Sequence, residues 1–357
     1  MATIDSLRDQ VAGAAAAGCA LRIRGGGTKD WYGQHPVGTV LDTTGYHGII
    51  DYEPTELVMT ARSGTPLSHI EAVLAERRQM LAFEPPHFGD GATIGGTVAC
   101  GLSGPRRAAA GAVRDFVLGA QIMDGRGEVL TFGGQVMKNV AGYDVARLLT
   151  GSMGTLGLLL QVSVKVLPLP VRESTRRFAM SELEALERLN TWGGQPLPIS
   201  ASCWDDGVLT LRLSGARAAV DAAQRLLGGE AVEAGPAFWR ALREQRQSFF
   251  DGAEALWRLS VPSSAGAIIL RGPQLIEWGG AQRWLRSGTD PQTVHGIRRA
   301  VKAAGGHATL FRGGDKGAGV FEPLAPAIGR IHVRLKAAFD PSHVLNPGRM
   351  YPACKPT

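Results

Sequence analysis

Cysteine is scarce in this sequence and never paired: Cys19, Cys100, Cys203 and Cys354 stand alone among 357 residues. No Cys-x-x-Cys spacing exists to hold zinc or an iron–sulfur cluster, so the cysteines read as reduced and unbridged. Aromatics make up only 6% and do not interleave with Lys or Arg, and no long basic run occurs. That excludes the footprint of a nucleic-acid binder, while the net charge of +6 still permits an anionic ligand. Long apolar runs are missing too. The longest uncharged stretch, Leu148 to Val164, is interrupted by Thr150, Ser152, Thr155, Gln161 and Ser163 and is too polar to span a bilayer. Asp5, Arg8 and Asp9 precede the alanine-rich run from Gly13 to Ala17, the wrong charge order for a secretory signal. The sequence therefore places the protein in the cytoplasm, with at most peripheral membrane contact through partners.

What is abundant is glycine, 48 of 357 residues, about 13% against a usual value of about 7%. The glycines cluster in short runs, which marks places where backbone must approach something closely. The length suggests about two domains.

Ile4, Leu7, Val11 and Ala14 predict a first helix with Thr3 as cap and Gly18 as terminator. Strands are expected at Ala20 to Arg24, Thr39 to Asp42, Ile49 to Tyr52 and Leu57 to Arg62. Thr65-Pro66 reads as a hydroxyl cap and first-turn proline opening a helix through Leu67, Ile70 and Leu74. Pro85 to Pro105 is too rich in glycine and proline for one long helix, leaving room for a short one at Thr93 to Cys100. A hairpin is read at Phe116 to Phe132 around Asp124-Gly125-Arg126-Gly127, and a helix near Asp144 to Leu149. The apolar even positions Leu156 to Val166 predict a half-buried strand. Pro168-Leu169-Pro170 marks a boundary, giving a first domain over 1–170, a second over 171–335 and a returning segment over 336–357. In the second domain, β-α-β-β-α from Arg176 to Leu227 needs one more strand to make a ferredoxin-like layer. No internal repeat is evident.

The run Arg24-Gly25-Gly26-Gly27-Thr28 follows a strand, but Trp31, Gly33 and Pro36 forbid the helix that a dinucleotide fingerprint requires, and no Walker pattern is present. The remaining physics is a nest, in which successive glycine N–H groups converge on an anion. RGGGTK (24–29), ATIGGTVACGLSGP (92–105), KNVAGYD (138–144), GSMGTLG (151–157) and NPGRMYP (346–352) occur in that order. Together these five motifs resemble the vanillyl-alcohol-oxidase, or PCMH-type, FAD-binding family. Over essentially its full length, the chain is similar to the FAD-binding subunits of bacterial multi-subunit glycolate oxidases.

That resemblance implies an α+β FAD-binding domain of two small subdomains followed by a ferredoxin-like cap. It implies that Gly25, Gly26, Gly27 and Thr28 sit on the pyrophosphate, opposed by Thr93, Ile94, Gly95, Gly96, Gly101 and Gly104. Gly154, Leu156 and Gly157 complete the adenosine side, with Lys138 and Asn346 also at the cofactor. Thr28 stands where some members attach FAD to a histidine, and Cys100 reads as a small buried residue, so noncovalent FAD is expected. Partners implied are a sister FAD subunit and an iron–sulfur subunit, with a small 2-hydroxy acid as substrate.

Oxidising such an acid needs a cation for its carboxylate, a base for its hydroxyl proton and positive charge near the flavin. Arg106, Arg107, Lys138, Arg312 and Arg349 are candidate cations, and His87 or His307 a candidate base. Arg106, His307 and Arg349 head the catalytic candidates. The histidine-rich metal motif of related 2-hydroxy-acid dehydrogenases is reduced here to His307, so no metal is expected. Two alternatives stay open, a self-sufficient dehydrogenase and a flavin-free scaffold subunit.

Overall fold

The helix Ile4–Ala17 starts where the sequence dictates. Thr3 accepts from the Ser6 N–H, Ser6 reciprocates, and Gly18 closes the helix in the left-handed region at φ 62°. Its apolar face, Leu7, Val11 and Ala14, packs with Leu21, Leu41, Leu158, Leu160, Val344 and Leu345. The computed structural model describes residues 2–134, 143–252 and 254–352. Among the described residues there are seventeen strands: β1 Leu21–Arg24, β2 Thr39–Asp42, β3 Ile49–Glu53, β4 Val58–Arg62, β5 Gln79–Met80, β6 Val117–Met123, β7 Val129–Gly133, β8 Leu158–Lys165, β9 Leu167–Pro168, β10 Arg172–Ala179, β11 Ile199–Asp205, β12 Val208–Gly215, β13 Glu230–Ala231, β14 Ala255–Ser260, β15 Gln274–Glu277, β16 Gln282–Ser287 and β17 His307–Arg312.

The chain divides into two compact units, one of residues 1–102, 112–168 and 323–357, the other of 103–111 and 169–322. In the first, β1 and β2 pair in parallel, and a five-stranded antiparallel sheet runs β3-β4-β8-β6-β7. Strand β8 buries Leu158, Leu160, Val162 and Val164, while Ser163 meets Thr60 of β4 hydroxyl to hydroxyl at 2.8 Å. The β6–β7 turn is held by the buried Asp124 carboxylate, which accepts from the N–H groups of Arg126 and Glu128. One local expectation fails. Thr65 does not cap the helix Leu67–Glu76, because its hydroxyl is spent on the Gly48 N–H and the Arg62 carbonyl.

The second unit is one eight-stranded antiparallel sheet, β13-β10-β12-β11-β15-β16-β14-β17. Strand, helix Glu182–Gly193, two strands, helix Arg217–Leu227 and β13 give the β-α-β-β-α-β layer, with β13 the strand that was lacking. The other half repeats the strand order: β14, β15, β16, helix Pro291–Ala303 and β17, with irregular chain in place of the first helix. The two layers join through β11 and β15. Among the described residues no helix is long and apolar enough to cross a membrane.

Candidate cofactor-binding site

The first unit contains a cavity of about 740 Å³, a volume that includes its mouth open to solvent. Its lining comes from the ends of β1 and β4, the loop after β1, the helix Ile94–Cys100, the loop before β8 and the C-terminal segment. Of the residues singled out in the sequence, Gly25, Gly26, Gly27, Thr28, Thr93, Gly95, Gly96, Gly154, Gly157, Asn346 and Arg349 all face it.

Strand β1 runs into the loop Gly25–Thr28, and among the described residues no group takes the N–H of any of these four. A row of unspent donors is what an anion requires. The glycines are also demanded by the protein itself. A Cβ on Gly26 would overlap the Gly91 carbonyl, and Gly27 sits at φ 72°. Thr93 packs directly against this loop, its hydroxyl where a Cβ on Gly25 would stand, and it caps the helix Ile94–Cys100 by accepting from the Gly96 N–H at 3.2 Å. A Cβ on Gly95 would collide with Ser63, whereas one on Gly96 would meet only the Thr93 hydroxyl, leaving that position open toward the cavity.

Charge is concentrated here. Arg24, Lys29 and Arg349 line the cavity with a single carboxylate, Asp30. Asp30 accepts from Arg22 and, at 2.8 Å, from Arg24, and that bond followed by the Asp30 charge raises the Arg24 pKa. Lys29 is buried, its Nζ donating to the His87 carbonyl at 3.2 Å. Arg349 donates to the carbonyls of Gln34 and Asp30, tying the C-terminal segment to the loop after β1; burial lowers its pKa against the pull of Cys100 and Asp30. Cys100 is half-buried in the cavity wall, not fully buried, and desolvation raises its thiol pKa while Lys29 and Arg349 pull it down. Lys29, Asp30 and Ser63 belong to the wall without having been singled out. Lys29 was within reach of sequence reasoning, since it ends the RGGGTK run.

Asn346 faces the cavity with its amide already committed. Oδ1 accepts from the Ile23 N–H at 2.7 Å, and Nδ2 donates to the Met153 carbonyl at 2.6 Å. It is a clamp between β1 and the loop before β8. Ile94 is buried, Leu156 is buried outside the lining, and Gly101 ends its helix in the left-handed region against Gly151. Lys138 lies outside the described residues.

The remaining candidates, His87 apart, belong to the second unit. The Gly104 carbonyl accepts from the Trp278 indole at 3.1 Å. Arg106 is buried and spent on Glu173 and on the Ser214 hydroxyl at 3.0 Å, so it is a structural ion pair, not an open cation. His307 begins β17 with an exposed side chain. Partial desolvation and then the Arg258 charge lower its pKa, with Glu322 opposing. Arg107 stacks on Trp278, Arg312 ends β17, and His87, in the first unit, stands 3.2 Å from Glu71. Among the described residues no group of three or more His, Cys, Asp or Glu is placed to hold a metal.

Residues 1–133 match the family of FAD binding domains. The glycolate oxidase subunit GlcE of Escherichia coli K12 is 51% identical over 331 residues, covering 93% of this chain and 92% of that protein. The glycolate oxidase subunit GlcD of Bacillus subtilis is 32% identical over 43% of the chain and 33% of its own length; a D-lactate dehydrogenase of Anaerostipes hadrus is 34% identical over 37% and 28%. Among solved structures, an alkyldihydroxyacetonephosphate synthase superposes with a TM-score of 0.66 at 14% identity, over 96% of this chain and 74% of that one, a likeness of fold. With the glycine-walled cavity on an α+β fold of this type and a relative matched nearly end to end, the chain belongs to the GlcE family of glycolate oxidase subunits and carries that family's FAD binding domain.

Proposed function

We propose that this chain is the FAD-holding subunit of a multi-subunit glycolate oxidase, an assembly that oxidises glycolate to glyoxylate and passes the electrons to an iron–sulfur subunit. The observation that carries the reading is the coincidence of 51% identity over nearly the whole of a GlcE relative with a cavity whose unspent N–H groups lie between three cations. FAD, when bound, supplies acceptance of the two electrons that leave the alcohol carbon. The protein's part is to bind and orient it. The N–H groups of Gly25–Thr28 would hold the pyrophosphate, with the adjoining Thr93–Gly96 turn completing that wall of the site. Arg24, Lys29 and Arg349 would balance its charge, each bond to a charged acceptor contributing about 1.5–3 kcal/mol. With Thr28 in place of a histidine in the first loop, and with desolvation raising the Cys100 thiol pKa, the reading is of noncovalent attachment.

Among the described residues no histidine lines the cavity, and the one carboxylate that does is ion-paired. That favours cofactor holding over proton abstraction as the task of these residues. Membrane association, in this reading, comes through partner subunits.

The test is reconstitution of the assembly with and without this chain, scored by anaerobic glycolate bleaching of flavin absorbance. Loss of glycolate oxidation without the chain is expected. Full activity of the remaining subunits alone would overturn the proposal.

A further inference from the structure

Ser63 follows β4, is 3% exposed and lines the cavity. Its backbone is fully used: the N–H donates to the Leu160 carbonyl and the C=O accepts from the Gly95 N–H, each at 2.8 Å. Its hydroxyl is not. Among the described residues no group stands within hydrogen-bond reach of the Ser63 Oγ. Buried hydroxyls are nearly always satisfied, so an orphan in the wall of a cavity calls for a partner from inside that cavity. On the protein side, the Gly95 backbone presses so closely on Ser63 that even a Cβ there would collide.

We infer that Ser63 is a cofactor-binding residue, its hydroxyl donating to an acceptor atom of FAD. This rests on the reading of the cavity as the FAD site. The assignment has a signature that a structural serine lacks. Replacing Ser63 by Ala removes the oxygen and keeps the Cβ, so the apoprotein loses an unmet donor and nothing else. Its melting temperature should hold or rise, while the FAD dissociation constant rises about tenfold, the scale of one hydrogen bond. A structural hydroxyl would do the reverse.

The experiment titrates FAD into purified full-length apoprotein, wild type, Ser63→Ala and Ser63→Cys, following flavin fluorescence, with melting curves of each apoprotein. Ser63→Cys keeps the shape with a weak donor and should fall between the other two. Equal affinities for wild type and Ser63→Ala, or a destabilised Ser63→Ala apoprotein with unchanged affinity, would overturn this assignment alone. A folded wild type that takes up no FAD would overturn the cavity reading and this assignment with it.

Discussion

Replacing Asn346 by Ala tests whether the C-terminal segment is a structural part of the cofactor site. The substitution strands two backbone groups, the Ile23 N–H and the Met153 carbonyl, whose bonds at 2.7 and 2.6 Å are made by one 9%-exposed side chain. Each buried group left unpaired costs about 1–3 kcal/mol. Asn346 also sits at φ 42°, where Asn is tolerated better than Ala, adding up to about 1 kcal/mol. The sum is about 3 kcal/mol or more, and at about 2–4 °C per kcal/mol for a chain of this size the melting temperature should fall by roughly 6–12 °C. The loss should be present in the apoprotein, since the partners are protein atoms. Asn346→Asp keeps the acceptor for Ile23 but turns a carboxylate oxygen toward the Met153 carbonyl, and should also be destabilised. Thermal melts with and without FAD decide. An Asn346→Ala apoprotein that melts with the wild type, and differs only in FAD affinity, would refute the clamp and make Asn346 a direct cofactor contact.

Gly96→Glu fills the cavity from a position where a Cβ meets only the Thr93 hydroxyl, so it should abolish FAD uptake in a folded protein, whereas Gly26→Ala drives a Cβ into the Gly91 carbonyl and should lose folded yield; circular dichroism with a flavin spectrum separates the two. Arg106→Ala leaves Glu173 in the second unit without its cation, with only the Ser214 hydroxyl still donating to it, and should lower stability by about 1–3 kcal/mol, the lower end for a partly exposed carboxylate, with glycolate KM of the reconstituted assembly unchanged; a raised KM at unchanged stability would mean that Arg106 meets substrate. Desolvation, then the neighbouring Asp206, raises the Asp205 pKa, so the folded state binds its proton more tightly and this group's contribution to stability falls as pH rises from 3.8 through the folded pKa. Asp205→Asn should therefore raise the neutral-pH melting temperature, and the gain should vanish below pH 3.8; a gain that persists in acid would contradict the linkage.

The parts of the fold legible in the sequence are those with an uninterrupted pattern. Thr3 and Gly18 bracket the first helix, and the alternation through β8 survives because its polar positions carry only Gln161, Ser163 and Lys165. The second half of the eight-stranded sheet was hidden by polar residues placed in the core. Arg283 is 0% exposed, its guanidinium donating to the carbonyls of Ala265, Gly266 and Gly280, and Glu277 accepts from Trp284 and Gln282 on neighbouring positions. Such positions break a hydrophobic period, and the irregular chain between β14 and β15 erases the repeat a second helix would have displayed. At the site, the glycine loops announce themselves because backbone approach restricts residue type. The duties of Asn346, Arg349 and Ser63 are set by partners hundreds of positions apart or across a cavity, where no local pattern records them.

The most direct measurement is an FAD titration of the purified, folded apoprotein, followed by acid precipitation of the complex. Saturation at one FAD per chain, with all the flavin recovered in the supernatant, is the predicted result. A folded chain that takes up no FAD, or flavin that stays with the precipitate, would contradict the account of a noncovalent FAD site built from the glycine loops.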